Sequence, residues 1–157
     1  MVYIENYNKY IWLLPFIGGI LGVIAAVTPA AQLIEPGDNI IFWYFPLNID
    51  IEDSIIFIND SFIALLGGIL ELLVITLFST ILLTTSLLVW KRKWKIKKIK
   101  LLWFISALFL ILAPTLFWII GSITQDFWSN VFPSIGMIVP YIGAVLTILA
   151  IFLQENY

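Results

Sequence analysis

Apolar positions fall into four long stretches separated by short polar ones. Residues 11–31 form a run of 21 without a charge. A bilayer core about 30 Å thick needs roughly 20 helical residues at 1.5 Å each, so this run predicts a first membrane span. Residues 62–90 form a second, longer run broken only by Glu71 and scattered Ser and Thr, and its excess length predicts tilt or protrusion. Residues 101–123 and 134–153 are the third and fourth. Backbone amides in lipid must be satisfied within their own segment, and runs of this length suit helices rather than the short alternating strands of a barrel. The pattern predicts an all-α membrane protein, a single domain built as a four-transmembrane-helix bundle.

The segment 32–61 has a different periodicity. Ile40, Ile41, Phe42, Trp43, Tyr44 and Phe45 make a β-branched and aromatic run closed by Pro46, then LNIDI alternates at period two and IIFI follows Ser54. Two or three short strands are expected, forming a small extracellular β-sheet that lies on the helix ends and turns Asp50, Glu52 and Asp53 to water. The competing reading places Phe42, Trp43, Tyr44 and Phe45 in the headgroup layer as an interfacial anchor.

Charge orients these elements. Seven of the eight basic residues, Lys91, Arg92, Lys93, Lys95, Lys97, Lys98 and Lys100, lie in the link 91–100, which the positive-inside rule assigns to the cytoplasm. Both termini of a multi-pass cell-membrane protein then face inward, and loops 32–61 and 124–133 face outward. Glu35, Asp38, Asp50, Glu52, Asp53, Asp60 and Asp126 in those loops agree, with no Lys or Arg among them. Trp12, Trp90, Trp94 and Trp103 read as an inner aromatic belt, and Trp43, Tyr44, Trp118 and Trp128 as an outer one. The balanced leader and long apolar run favour a retained first anchor over a cleaved signal peptide.

Composition narrows the chemistry. With 62% hydrophobic residues, 11% charged, no Cys and no His, the chain lacks thiolate and imidazole ligands and any Ser/His or Cys/His nucleophile pair. Carboxylates and hydroxyls alone make no recognisable catalytic set, so no enzyme, cofactor or metal centre is expected. Asp50, Glu52, Asp53 and Asp60 lack the spacing of a Ca²⁺ loop and read as a solvated acidic surface. Asn59 heads a glycosylation sequon. The basic link is tethered within ten residues of the bilayer, so its partner is anionic lipid headgroups, not nucleic acid.

Glu71 stands out because an ionisable group inside a span usually faces a bundle interior or a watery cavity. It has no basic partner in any span. One reading makes it an intramembrane proton or cation site. The other makes it a neutral donor to a carbonyl or Thr hydroxyl on a neighbouring helix, or a side chain snorkelling to the outer boundary. Gly18 and Gly22, with Gly19 and Ala26, put small residues on one face of the first span, and Gly67 and Gly68 do so on the second. Pro15, Pro114 and Pro140 predict kinks.

Four spans with both ends inside, a strand-patterned first outer loop rich in aromatics, a short second outer loop and a compact inner turn resemble the claudin-like tetraspan proteins in layout. Phe42, Trp43, Tyr44 and Phe45 supply the loop aromatics here, without the family's Gly-Leu or its cysteine pair, and the long span is the second instead of the third. The resemblance implies a left-handed four-helix bundle capped by a small outer sheet. It also implies a non-enzymatic scaffold or adhesion role, making lateral or cell-cell contacts with its own copies or other membrane proteins. A small transporter, channel or accessory subunit using Glu71 is the alternative.

Overall fold

The computed structural model describes residues 10–35, 38–44, 47–51, 55–58, 62–92, 96–124 and 130–155. Among the described residues four helices carry the fold: α1 (Leu13–Val27), α2 (Phe62–Trp90), α3 (Ile96–Thr124) and α4 (Ile135–Glu155). Five strands join them: β1 (Ala31–Glu35), β2 (Asp38–Phe42), β3 (Leu47–Asp50), β4 (Ile55–Ile58) and β5 (Val131–Pro133). Each helix packs on its chain neighbour and α4 closes back on α1, so the four form a ring. Every strand lies in one antiparallel sheet, ordered β4-β3-β2-β1-β5. Because β1 to β4 connect α1 to α2 and β5 connects α3 to α4, the sheet sits at one end of the bundle and the basic link at the other.

The first apolar run is not all helix. Pro29 disfavours helical geometry at the residue before it, and Thr28 is extended with ψ at 156°. Helix α1 ends there, and the remaining apolar residues enter β1. Its 15 residues cover about 22 Å, short of a hydrocarbon core about 30 Å thick. Three helices are long and apolar enough to cross a membrane: Leu65–Trp90, Lys97–Ile123 and Ile135–Leu153. Helix α3 also begins earlier than the apolar run, at Ile96, so Lys97, Lys98 and Lys100 lie on its first turns instead of in a loop.

The polarity of the bundle is arranged for an apolar solvent. Large side chains point outward at helical spacing: Leu66, Leu70, Leu73 and Leu77 on α2, Leu108, Leu112, Leu116 and Ile119 on α3, Ile138, Ile142, Val145 and Leu149 on α4. The inward faces mix large apolar side chains such as Ile75, Leu82, Trp103 and Leu110 with many small or hydroxyl residues, Ala25, Ser79, Ser106, Ala107, Ala144, Thr147 and Ala150 all being buried. Water would favour the reverse arrangement, whereas lipid removes the hydrophobic drive between helices and leaves close packing to hold them. These are the properties of a membrane protein.

Several buried hydroxyls are satisfied locally, Ser79 donating to the Ile75 carbonyl at 2.6 Å and Thr147 to that of Gly143 at 2.8 Å, whereas the Ser86 hydroxyl has no partner among the described residues. Trp103 is fully buried in the core and its indole N–H donates to Thr85 Oγ1 at 2.9 Å. It is a packing residue and not the belt residue expected. Trp12 and Trp90 do meet at the basic end, ring centroids 5.6 Å apart, with Trp90 exposed. Trp43 and Trp118 are half-buried at the sheet end, and Trp94 and Trp128 lie outside the described residues.

Pro15 sits in the first turn of α1, where its missing N–H costs no helical bond, so it is no mid-span hinge. Pro114 and Pro140 are inside α3 and α4. At the basic end of α2, Arg92 closes the helix with φ at +54°. A left-handed residue at this position is normally glycine. Replacing Arg92 with Gly should therefore raise stability by about 1 kcal/mol, read as a higher melting temperature in micelles.

Candidate functional site

Phe42 and Tyr44 lie at the junction of sheet and bundle. Pro140 removes the donor that would have bonded the Gly136 carbonyl four residues back. The Tyr44 hydroxyl supplies one instead, donating to Gly136 O at 3.2 Å. Gly136 is itself bound at close range, its N–H donating to Pro29 O at 2.8 Å. A Cβ there would lie 2.6 Å from that oxygen, so only glycine fits. Ser134 N–H donates to Ala30 O at 2.9 Å and Ala30 N–H to Phe42 O at 2.8 Å, which fastens the sheet to the ends of α1 and α4.

Tyr44 is 1% exposed and Phe42 6%, with Tyr44 packed edge-on against Phe117 at 5.1 Å between centroids. Both were expected on a contact surface, and both are core. The reason is the strand alternation: Ala31 pairs with Phe42 and Leu33 with Ile40, and this face packs with Val131 against Phe117 and Trp118 of α3. The same register puts Asn48 opposite Phe42 and Asp50 opposite Ile40, so Asp50 shares the helix-facing side and is half-buried instead of fully presented to water. Phe45, Glu52, Asp53, Asn59 and Asp60 fall outside the described residues.

The other face of the sheet is largely apolar. Phe132, Gln32, Ile41 and Ile49 lie in one cross-strand row, and Ile34 pairs with Asn39 in the next. Ile34 is 57% exposed and Phe132 59%, while Gln32 Nε2 donates to Asn39 Oδ1 at 3.0 Å. The two amides thereby spend part of their hydrogen bonding on each other. Sequence periodicity had β2, β3 and β4 in view but not β1, which begins on the last residue of the apolar run, or β5, whose three residues are too few for a pattern.

Glu71 lies on the buried face of α2 with Gly68, Ile75, Ser79 and Leu82. It is 5% exposed, and neither carboxylate oxygen has a hydrogen-bond partner among the described residues. It neither snorkels to the surface nor donates to a neighbouring helix. Tyr44 is its neighbour: burial first, then the Glu71 carboxylate and the Tyr141 hydroxyl, push the Tyr44 hydroxyl up. Tyr141 and Thr115 bridge α4 and α3 with hydroxyls 2.9 Å apart. No group of three or more Asp or Glu suited to a metal ion occurs among the described residues.

The small residues predicted for packing act within the bundle. Gly18 meets Gly143 of α4, where a Cβ would stand 2.6 Å from the Gly143 carbonyl oxygen, and Gly19 meets Leu83 and Ser79 of α2. Gly22 lies against Ser79 so closely that a Cβ would collide with its hydroxyl. Gly67 is different, with only Ile120 Cδ1 at 3.5 Å from such a Cβ, and Gly68 is buried. Gly143 and Gly136 were missed by motif reading, being too far apart to form a small-xxx-small pair.

At the opposite end Lys91, Arg92, Lys97 and Lys98 are exposed and Lys100 is half-buried, with Lys93 and Lys95 outside the described residues. Compared with protein families, curated proteins and solved structures, the chain matches nothing.

Proposed function

We propose that the chain is a non-enzymatic, claudin-like tetraspan of the cell membrane that associates with further copies of itself through its outer sheet. On this reading α1 crosses the bilayer with the other three helices, within a locally thinned boundary, and the basic link faces the cytoplasm. Both termini are then cytoplasmic. The observation that carries the proposal is the apolar outward face of the sheet. Ile34 and Phe132 are both more than half exposed beside Ile41 and Ile49, on the part of the fold that projects past the helix ends. Lipid covers an apolar helix stripe but not a face beyond the bilayer, and contiguous exposed apolar surface there marks a contact site.

The contact residues are then Ile34 and Phe132, with half-buried Trp43 also in the first loop. Phe42 and Tyr44 hold the sheet in place from beneath. Lys91, Arg92, Lys97 and Lys98 contribute to anchoring by anionic headgroups, about 1 kcal/mol each near such a surface.

Association is measured by energy transfer between labelled copies in liposomes, with vesicle clustering read in parallel to separate lateral from facing contacts. The double change Ile34→Asp and Phe132→Asp removes about 1.5 kcal/mol of apolar burial per site, so association should weaken about 100-fold. Parent protein that stays monomeric at all dilutions, or a double variant that associates as the parent does, defeats the proposal.

A further inference from the structure

The ring of helices places α1 and α3 diagonally, each between α2 and α4. The inner face of the sheet, carrying Ala31, Leu33, Phe42 and Val131, packs on Phe117 and Trp118 of α3. Its outer face therefore turns away from α3 and stands over the end of α1, from which β1 runs on after residues 28–30. The flank below that face is apolar too. Leu13, Ile20, Ile24 and Val27 recur at helical spacing on α1 and are all exposed, Val27 at 72%. Above them come Phe132 and Ile34, and the neighbouring outer positions Gln32, Asn39 and Ile41 carry no charge. The hydrogen bond between Gln32 and Asn39 lowers the cost of covering those amides. One uncharged wall thus runs along α1 from the basic end to the sheet.

This wall is also where lipid fits worst. Helix α1 has 15 residues and covers about 22 Å, whereas the apolar spans of α2 and α3, at 26 and 27 residues, cover about 39 and 40 Å. A hydrocarbon core about 30 Å thick must give up about 8 Å beside α1 and nothing beside α2 or α3. Thinning a bilayer costs free energy for every Å, and a short span escapes that cost by associating with protein in place of lipid.

We propose that two copies associate side by side in one membrane along this wall, α1 against α1 and sheet against sheet, with a strength set by bilayer thickness. The inference rests on the reading of the sheet face as a self-association surface, and adds its direction and what regulates it. A second copy is the occupant that fits over the whole height, because it presents the same short helix beneath the same apolar sheet face. A two-fold axis along the membrane normal brings the two walls together and keeps both basic ends on one side of the bilayer. Lipid alone would leave the sheet face in water. A copy in a facing membrane would cover the sheet but leave α1 in thinned lipid. Pairing along the wall relieves both, so association strengthens as the surrounding bilayer thickens.

The test uses the full chain, labelled with donor or acceptor at its N-terminus, in phosphatidylcholine vesicles whose monounsaturated chains have about 14, 18 or 22 carbons. Energy transfer over a range of protein-to-lipid ratios gives a dissociation constant, which should fall roughly tenfold from the thinnest bilayer to the thickest. Because the chain contains no Cys, single Cys variants report the contact directly. Oxidation in vesicles should link copies through Ile20→Cys or Ile24→Cys, one turn apart on α1, and not through Leu116→Cys, which is also exposed but lies on α3. Association of equal strength in all three bilayers overturns the proposal, as does crosslinking through Leu116→Cys at least as strong as through either α1 variant. Vesicle clustering without energy transfer inside a single membrane also overturns it, and leaves the sheet contact standing between facing membranes. A parent chain that is monomeric in every bilayer removes the underlying reading as well.

Discussion

Gly143→Val should destabilise the bundle by about 3 kcal/mol, at the upper end for overpacking a close contact. A Cβ at Gly143 stands 2.8 Å from the Gly18 carbonyl oxygen and 3.2 Å from Gly18 Cα, and the reciprocal Cβ on Gly18 meets Gly143 O at 2.6 Å. The obstructing atoms are backbone, so no rotamer change relieves them and α1 must move off α4. In micelles the melting temperature should fall by about 10 °C for a chain of this size. Gly67→Ala is the matched control. Its Cβ meets only Ile120 Cδ1 at 3.5 Å, an ordinary contact, and its stability should stay within about 0.5 kcal/mol of the parent. Equal melting of Gly143→Val and the parent would show that α1 and α4 do not touch along this line.

Trp103→Ala should cost a similar amount, about 3 kcal/mol, for a different reason. In water such a truncation loses transfer energy together with a cavity term. In a membrane the separated helix keeps its tryptophan in lipid, so most of the transfer term drops out and lost packing dominates. Trp103 is fully buried, the largest such side chain in the fold, and its indole N–H is bonded to Thr85 Oγ1 at 2.9 Å. The hydrogen bond adds about 0.6 kcal/mol. Trp103→Phe, which refills most of the volume, should lose roughly half as much. Reversible unfolding in mixed micelles gives both values, and a Trp103→Ala loss below that of Trp103→Phe would contradict the packing account.

The two variants probe what motif reading sees least well. Gly18 and Gly22 were legible as a small-residue face because four-residue spacing is local to one helix. Gly143 was not, because its reason for being glycine is Gly18 on another helix. Trp103 sits three residues from Lys100, the last of a cluster of lysines, and reads as a belt residue by position alone. Only the azimuth of α3, set by Ile99, Ala107 and Leu110 on the same buried stripe, turns it inward. Phe42 and Tyr44 show the same limit in the sheet. An aromatic run marks a strand, but which alternate residues face the helices depends on register, and register was decided by β1. Strand β1 itself was not seen, since Ala31 closes the first apolar run and the four residues 32–35 after it are too few to show a period-two pattern.

What the amino-acid sequence determined by itself is whatever depends on one segment and its solvent. Three helices long enough to cross a membrane, the basic and sheet-bearing ends, and strand character in 40–58 belong to this class. Each follows from hydropathy over a fixed length or from period-two alternation, and neither needs a partner. The tertiary structure decided the rest: the ring of helices, the fifth strand, the glycine contact between α1 and α4, and the hydrogen bond of Tyr44 to Gly136. These arise from pairings between residues far apart in the chain. Packing and hydrogen-bond accounting act on neighbours in space, and a linear pattern does not say which neighbours those are.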